Sequence, residues 1–302
     1  MSSNVAIDDL VALSPTSQMA NQDNNPKPHK TLPNILVRIL TAAVIAPVGV
    51  WVVAEGGVAL VTATVICSVV AGFEWVFMAA RLVARPLRFL LAIPLAIACV
   101  IAVLFAAPDL ALVVLLGAAT SVVLAGIGIV LKSNWLSLGF GAFYVTLPFG
   151  SFIYLRDFHE QSLYLMIAVM VTVWMTDTAG YLAGKGFGGP QLSPANSPNK
   201  TWTGAIAGVI CALLIGVAAA NLTNGPMLTW LIFTGSVSAV GQFGDLCESY
   251  FKRRFGVKDS SKIIPGHGGV LDRLDGLMAA SALSGLIFFL APGIAPLLLG
   301  SA

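Results

Sequence analysis

Two carboxylate pairs sit toward the C-terminal end of the chain, Asp245 with Glu248 and Asp272 with Asp275, each pair three residues apart. Residues i and i+3 share a helix face. The first pair closes one apolar run and the second opens the next, so the two pairs can converge from adjacent helix ends. Hard oxygen donors at such a point suit Mg²⁺, which takes one or two protein carboxylates and leaves positions for phosphate oxygens and water. Between the pairs lie Lys252, Arg253, Arg254, Lys258 and Lys262, which repel a cationic ligand and balance a polyphosphate. The Gly266-His267-Gly268-Gly269 turn adds backbone N–H groups that can approach an anion without Cβ obstruction. The stretch from Gln242 to Gly276 holds five of the fourteen acids and six of the sixteen Lys and Arg residues. Cation, bases and bare amides together describe phosphoryl or nucleotidyl transfer. The alternative is a juxtamembrane loop whose bases follow the positive-inside rule and whose acids cap helices. Acids at the ends of apolar segments are costly unless paired or functional, which favours a site for Asp245, Asp272 and Asp275.

The elements that must position these residues are membrane helices. The 302 residues are 57% hydrophobic and 10% charged, with net charge +2 and a mean hydropathy of +0.89. Soluble domains carry about 25% charged residues; nucleic-acid-binding, collagen-like and disordered classes need basic excess, Gly periodicity or polarity that this chain lacks. Runs of about 20 apolar residues mark spans. Nine emerge, at about 35–54, 57–80, 88–107, 110–131, 135–155, 162–184, 202–222, 227–246 and 277–299. Pro47, Pro94, Pro148 and Pro292 fall inside them, which membrane helices tolerate. The expected fold is therefore all-α and polytopic: a disordered cytoplasmic tail over 1–33, without the apolar core of a signal peptide, then one transmembrane catalytic domain over 34–302. With the tail inside, fifteen of the sixteen Lys and Arg residues fall on the cytoplasmic side and only Arg156 falls outside, as the positive-inside rule requires. Nine spans then leave the C-terminus outside. The long polar connections, 185–201 and 247–276, face the cytoplasm. Cys67, Cys99, Cys211 and Cys247 are scattered singly and read as small core hydrophobes.

The segment 249–275 resembles the signature of the phosphatidate cytidylyltransferase (CDP-diacylglycerol synthase) family. Its specified positions are met from Ser249 through Lys252, Arg253, Lys258, Asp259, Ser261, Ile264, Pro265, His267, Gly268, Gly269, Val270, Asp272 and Arg273 to Asp275. Upstream, Ser197-Pro198-Asn199-Lys200-Thr201-Trp202-Thr203-Gly204 is similar to the family's Ser-Pro-Lys-Lys-Thr-Trp-Glu-Gly, with Asn199 and Thr203 as departures. Before about residue 160 the likeness is of hydropathy, plus the pair Glu74-Trp75. The resemblance implies that Asp245 and Asp272, with Asp275, hold a divalent metal, Mg²⁺ with a second cation as an option. It implies that Lys200, Lys252, Arg253 and Lys258 bind phosphate, and that Ser249, His267, Gly268, Gly269 and Arg273 belong to the substrate site. The implied partners are CTP and phosphatidate in a bacterial-type inner membrane, with no nucleic acid. The implied reaction is attack by the phosphatidate phosphate on the α-phosphorus of CTP. The anionic nucleophile needs no strong base, so the protein must chiefly offset repulsion between two anions.

Other residues compete less well. Asp177 and Glu74 lie within apolar runs, where an acid is functional or paired by default; they would line the path of a transporter or channel, the rival from another class. Asp272-Arg273-Leu274-Asp275-Gly276 matches the opening of the CDP-alcohol phosphotransferase motif, but the Ala-Arg it next requires is missing and no acid follows Asp275. A scaffold keeping the signature only as architecture fits poorly with every charged signature position being present. Gly184-Lys185-Gly186-Phe187-Gly188-Gly189 satisfies G-x-G-x-x-G but follows an apolar helix, not a strand, and no Walker A sequence exists. His267 reads equally as a phosphate contact or a turn residue; His29 and His159 carry no assignment. Trp51, Trp135, Trp174, Trp202 and Trp230 mark span interiors or ends. Gly204 and Gly208 form a small-residue face that pairs helices within one chain or across a homodimer.

Overall fold

The computed structural model describes residues 32–107, 109–157, 161–264 and 266–300. The tail over 1–31, with His29, and also His159 and Pro265, lie outside them. Among the described residues nine helices of twenty residues or more follow one another: α1 (Leu32–Glu55), α2 (Gly57–Ala79), α3 (Arg85–Phe105), α4 (Leu110–Val130), α5 (Trp135–Asp157), α6 (Ser162–Phe187), α7 (Trp202–Thr223), α8 (Met227–Arg254) and α9 (Leu271–Leu290). A short α10 (Ile294–Leu298) ends the described chain. Each matches one expected span. In hydrocarbon only intrasegment hydrogen bonding satisfies the backbone of a single crossing, so runs of this length and apolarity become helices. Seven of the helices, α2 to α7 and α9, are long and apolar enough to cross a membrane by length and composition. The protein is a multi-pass membrane protein of the all-α class.

Two boundaries differ from the sequence expectation, and both matter for the site. Helix α8 continues to Arg254, eight residues past its apolar run, and α9 starts at Leu271, six residues before the expected run. Glu248, Lys252 and Asp272 of these polar turns are paired with one another inside the protein, so their burial does not break the helices. Pro292 accordingly falls between α9 and α10 and not within a span. The connection 185–201, expected to be a loop, contains an antiparallel hairpin of β1 (Gln191–Ser193) and β2 (Ser197–Thr201), with Gln191 opposite Thr201. The Thr201 side chain accepts from Gly204 N at 3.1 Å and so caps α7, a favourable N-cap residue type.

Helix α5 is the most enclosed span, with 72% of its apolar window buried. The fully buried Trp75 of α2 lies against it, its indole donating to Ser137 O at 2.8 Å. Around this ring gather Tyr144, Phe140, Phe251 and Phe255, at centroid distances of 4.9 to 5.9 Å. The cluster braces the polar end of α8 against α2 and α5, one residue from Lys252. Arg81 adds a second tie, donating to the carbonyls of Phe255 and Gly256 at 3.3 and 3.0 Å. Trp75→Ala is expected to cost about 3–5 kcal/mol of stability, the range for emptying a large aromatic from a packed interior. Denaturant unfolding in detergent micelles measures it.

The small-residue face of α7 is taken up inside the chain. Gly204, Gly208, Ala212, Gly216 and Ala220 are buried. A Cβ at Gly204 would stand 2.5 Å from the carbonyl oxygen of Gly180 on α6, so the α6–α7 contact requires glycine there.

Candidate active site

Helix α8 carries Asp245, Glu248, Ser249 and Lys252 on one face, spaced by three, four and seven residues from Asp245 as neighbours on a helix surface must be. Helix α9 carries Asp272 and Asp275 in its first turns. The two helices cross closely: a Cβ on Gly244 would lie 2.9 Å from the carbonyl oxygen of Asp275. The four carboxylates therefore meet at one end of the bundle.

Lys252 is the cation between them. Its ammonium lies 2.7 Å from Asp272 Oδ1 and 3.1 Å from Glu248 Oε2, with only 12% of the side chain exposed. Asp272 is also buried, and its second oxygen, Oδ2, accepts from Ser260 N, Ser260 Oγ and Gly269 N, each at 2.8 Å. Such charge-assisted bonds are roughly twice as strong as neutral ones. Glu248 is fully buried, and neither of its oxygens receives a well-directed hydrogen bond. It stands instead within reach of the Asp275 side chain, which also feels the Asp245 charge. Two buried carboxyl groups side by side share a proton or a cation, and Lys252 supplies the protein cation in contact with Glu248.

At the more open edge, Asp245 Oδ2 forms an ion pair with Lys200 Nζ, the two side chains each 28% exposed. Lys200 arrives on β2, which the capped start of α7 fixes. Ser249 Oγ donates to Asp245 Oδ1 at 3.4 Å. Asp177 of α6 faces the same place, its carboxylate within electrostatic range of Lys200, Asp245 and Arg273. Beside this pair, between α7, α8 and β1, opens a groove of about 380 Å³ lined by apolar side chains, among them Trp202, Ile206, Val209, Phe243 and Leu246, with Gln242 as the polar exception.

Gly268 and Gly269 do not offer free amides to an anion: Gly268 N donates to Ile264 O at 3.2 Å and Gly269 N to Asp272. The turn instead exists for close approach. A Cβ at Gly269 would collide with Ser260 Oγ and the Glu74 carboxylate, and Gly268 adopts φ 88°, which favours glycine. His267 sits in this turn, its N–H donating to Ile264 O at 3.0 Å. Arg253 is exposed and donates to Asn196 O at 3.3 Å, tying the β1–β2 hairpin to α8. Lys258 and Arg273 are exposed. Among the described residues no three His, Cys, Asp or Glu side chains converge as a ready metal cluster. Asp272 is engaged by Lys252, Ser260 and Gly269, and Asp245 is paired with Lys200.

Sequence reasoning left Glu74 without a role and passed over Ser260. The carboxylate of Glu74, from α2, accepts from Ser261 Oγ at 2.6 Å, Leu271 N at 2.9 Å, Val270 N at 3.0 Å and Ser260 Oγ at 3.1 Å. It lines no open path, which removes one of the two acids on which the transporter reading stood.

Comparison with known proteins follows the same residues. The model of the cytidylyltransferase family matches residues 36–291. The chain is 35% identical to the phosphatidate cytidylyltransferase of Brucella suis biovar 1 over 260 residues, covering 83% of this chain and 92% of that protein. The phosphatidate cytidylyltransferase of Brucella abortus strain 2308 matches to the same extent, 35% over 260 residues. That of Staphylococcus saprophyticus is 43% identical over 129 residues, 42% of this chain and 50% of the relative. The match spans every helix from α2 through α9 and the whole carboxylate-lysine cluster, and the chain belongs to the cytidylyltransferase family.

Proposed function

We propose that this protein is a phosphatidate cytidylyltransferase. The observation that carries the reading is the meeting of Asp245, Glu248, Asp272 and Asp275 with Lys200 and Lys252 at one end of a membrane bundle, inside a chain of this family. A phosphate oxygen of phosphatidate attacks the α-phosphorus of CTP, the bond between the α-phosphorus and its bridging oxygen breaks, and pyrophosphate leaves. CDP-diacylglycerol stays in the bilayer. Both reactants are anions, so the work of the site is charge balance and alignment.

The residues divide that work by their surroundings. Lys200 is the accessible cation and takes a phosphate as it parts from Asp245. Lys252, held between Glu248 and Asp272, presents a fixed positive charge that costs no rearrangement when negative charge develops. Arg253 and Lys258, exposed nearby, draw the nucleotide in from the water. Mg²⁺ would be held chiefly by Asp245, the half-buried carboxylate at the open edge, once Lys200 leaves it for a phosphate, with substrate oxygens and water filling the remaining positions, because among the described residues the acids do not form a three-ligand cluster. A cation there would supply charge neutralisation for the phosphate oxygens. The apolar groove beside Lys200 suits a lipid acyl chain whose phosphate rests at the ion pair.

The site end is cytoplasmic in a bacterial-type inner membrane, with the N-terminus inside and the C-terminus outside. Arg81 lies at the same end as Phe255 and Gly256, whereas Arg156 reaches the carbonyls of Val53 and Ala54 at the connection of α1 and α2. This supports the basic residues being on one side with Arg156 apart. The homodimer stays part of the proposal without the α7 glycine face as its seam, because α6 covers that face.

The test is pyrophosphate release from CTP by the purified protein in detergent, with phosphatidate and with or without Mg²⁺. Release requiring CTP, lipid and Mg²⁺ together is the expected result. CTP left unconsumed under all of these conditions overturns the assignment.

A further inference from the structure

Glu74 is 3% exposed, sits inside an apolar helix far from the signature in sequence, and yet receives four hydrogen bonds from the segment 260–271. A carboxylate within a membrane span is expensive unless it is paired or functional. Glu74 has no basic partner among its bonds. What balances it is the N-terminus of α9, where Val270 N and Leu271 N point at its oxygens. Free N–H groups and the positive end of the helix dipole make that an anion-binding position. Helix α9 has no side-chain cap from its own N-cap residue, so a carboxylate from α2 acts as its cap.

The same carboxylate is one bond away from the cluster. Ser260 Oγ is shared, 3.1 Å from Glu74 Oε2 and 2.8 Å from Asp272 Oδ2. A hydroxyl has one hydrogen, so it donates to one carboxylate at a time and is held by the field of both. Ser260 N and Gly269 N then complete the donors on Asp272 Oδ2. Glu74 thereby sets the loop that aims Asp272, and Asp272 in turn holds Lys252. We infer that Glu74 is a positioning residue for the transfer reaction, acting through the start of α9 and through Ser260 on the Asp272–Lys252 pair. This rests on the proposed site reading. Ser261 provides an internal comparison, since its hydroxyl bonds Glu74 but not Asp272.

Partners that orient a functional carboxylate typically contribute 10–100-fold. Glu74→Ala and Ser260→Ala are each expected to lower kcat by about 10–100-fold while KM for CTP stays within about threefold, and Ser261→Ala to stay within about threefold of wild type. Because Glu74 and Ser260 act in series, the double variant should lose little more than Glu74→Ala alone, a non-additivity that distant independent changes do not show. A second readout needs no substrate or metal: hydrogen exchange in the full-length protein at the Ser260 and Gly269 amides, which bond Asp272. Their exchange should rise in Glu74→Ala. Unchanged exchange there overturns the inference whatever the activity. Equal effects of Ser260→Ala and Ser261→Ala on kcat also overturn it and leave Glu74 as a loop anchor only. Should Glu74→Ala not fold, the two serine variants decide by themselves. A wild-type protein that consumes no CTP would instead remove the functional assignment, and the exchange result would still report on the link between Glu74 and Asp272.

Discussion

Asp272→Asn is expected to lower turnover at least ~100-fold, since it removes a charge on which several kcal/mol of transition-state stabilisation rest. The geometry explains why so small a change in shape has so large an effect. Asp272 accepts on both sides at once, from Lys252 Nζ at Oδ1 and from three donors at Oδ2. An amide has only one accepting atom, so its NH₂ must face either the ammonium or the three donors. If it faces Lys252, the ammonium keeps only Glu248 and swings from its place; if it faces the loop, the 260–269 turn is pushed off the start of α9. Removing one partner of a buried ion pair costs about 3–5 kcal/mol because the other charge is left uncompensated. Stability should therefore fall together with turnover, and the two are separated by assaying well below the variant's melting temperature. Turnover within tenfold of wild type by a folded Asp272→Asn protein would mean that Asp272 is architectural.

How much of this was legible in the sequence depends on the range over which each feature acts. Hydropathy is summed over about 20 residues, so all nine long helices could be read from it. The i, i+3 spacing is local, and it correctly paired Asp245 with Glu248 and Asp272 with Asp275 on helix faces. Polar helical turns are invisible to an apolar threshold, which is why α8 was cut short of Ser249 and Lys252 and α9 was started after Asp272. Long-range partners leave no local mark. Glu74 meets its loop across 186 to 197 residues, and only the cost of an acid in a span hinted that a partner existed. Bare amides are the same sequence feature whether they serve a ligand or a protein carboxylate. Which anion they serve is decided by Asp272 three residues later, reaching back to Gly269 N. The hairpin of β1 and β2 is short and polar, with too few alternating residues to announce strands.

Asp245→Asn is expected to have an equally large catalytic effect, at least ~100-fold in turnover, but for a different physical reason and with a different signature. Asp245 and Lys200 are half-buried, each 28% exposed, so water still screens the pair and it contributes on the order of 1 kcal/mol. Losing it should leave the melting temperature close to that of wild type. On the proposed reading the two groups neutralise each other until each meets its own partner. Asp245 would then be the carboxylate offered to a cation and Lys200 the ammonium offered to a phosphate, so that binding of the charged nucleotide would exchange one ion pair for two. Asn at 245 cannot take part in that exchange, because its amide oxygen carries no net charge with which to hold a cation. Lys200→Ala should by contrast raise the apparent KM for a phosphate-bearing substrate and lower turnover less. Measuring melting temperature, turnover and Mg²⁺ dependence on the same Asp245→Asn preparation decides the matter. A stable variant that keeps more than a tenth of wild-type turnover, with unaltered Mg²⁺ dependence, would move the cation away from α8 and leave Asp245 as no more than a partner for Lys200.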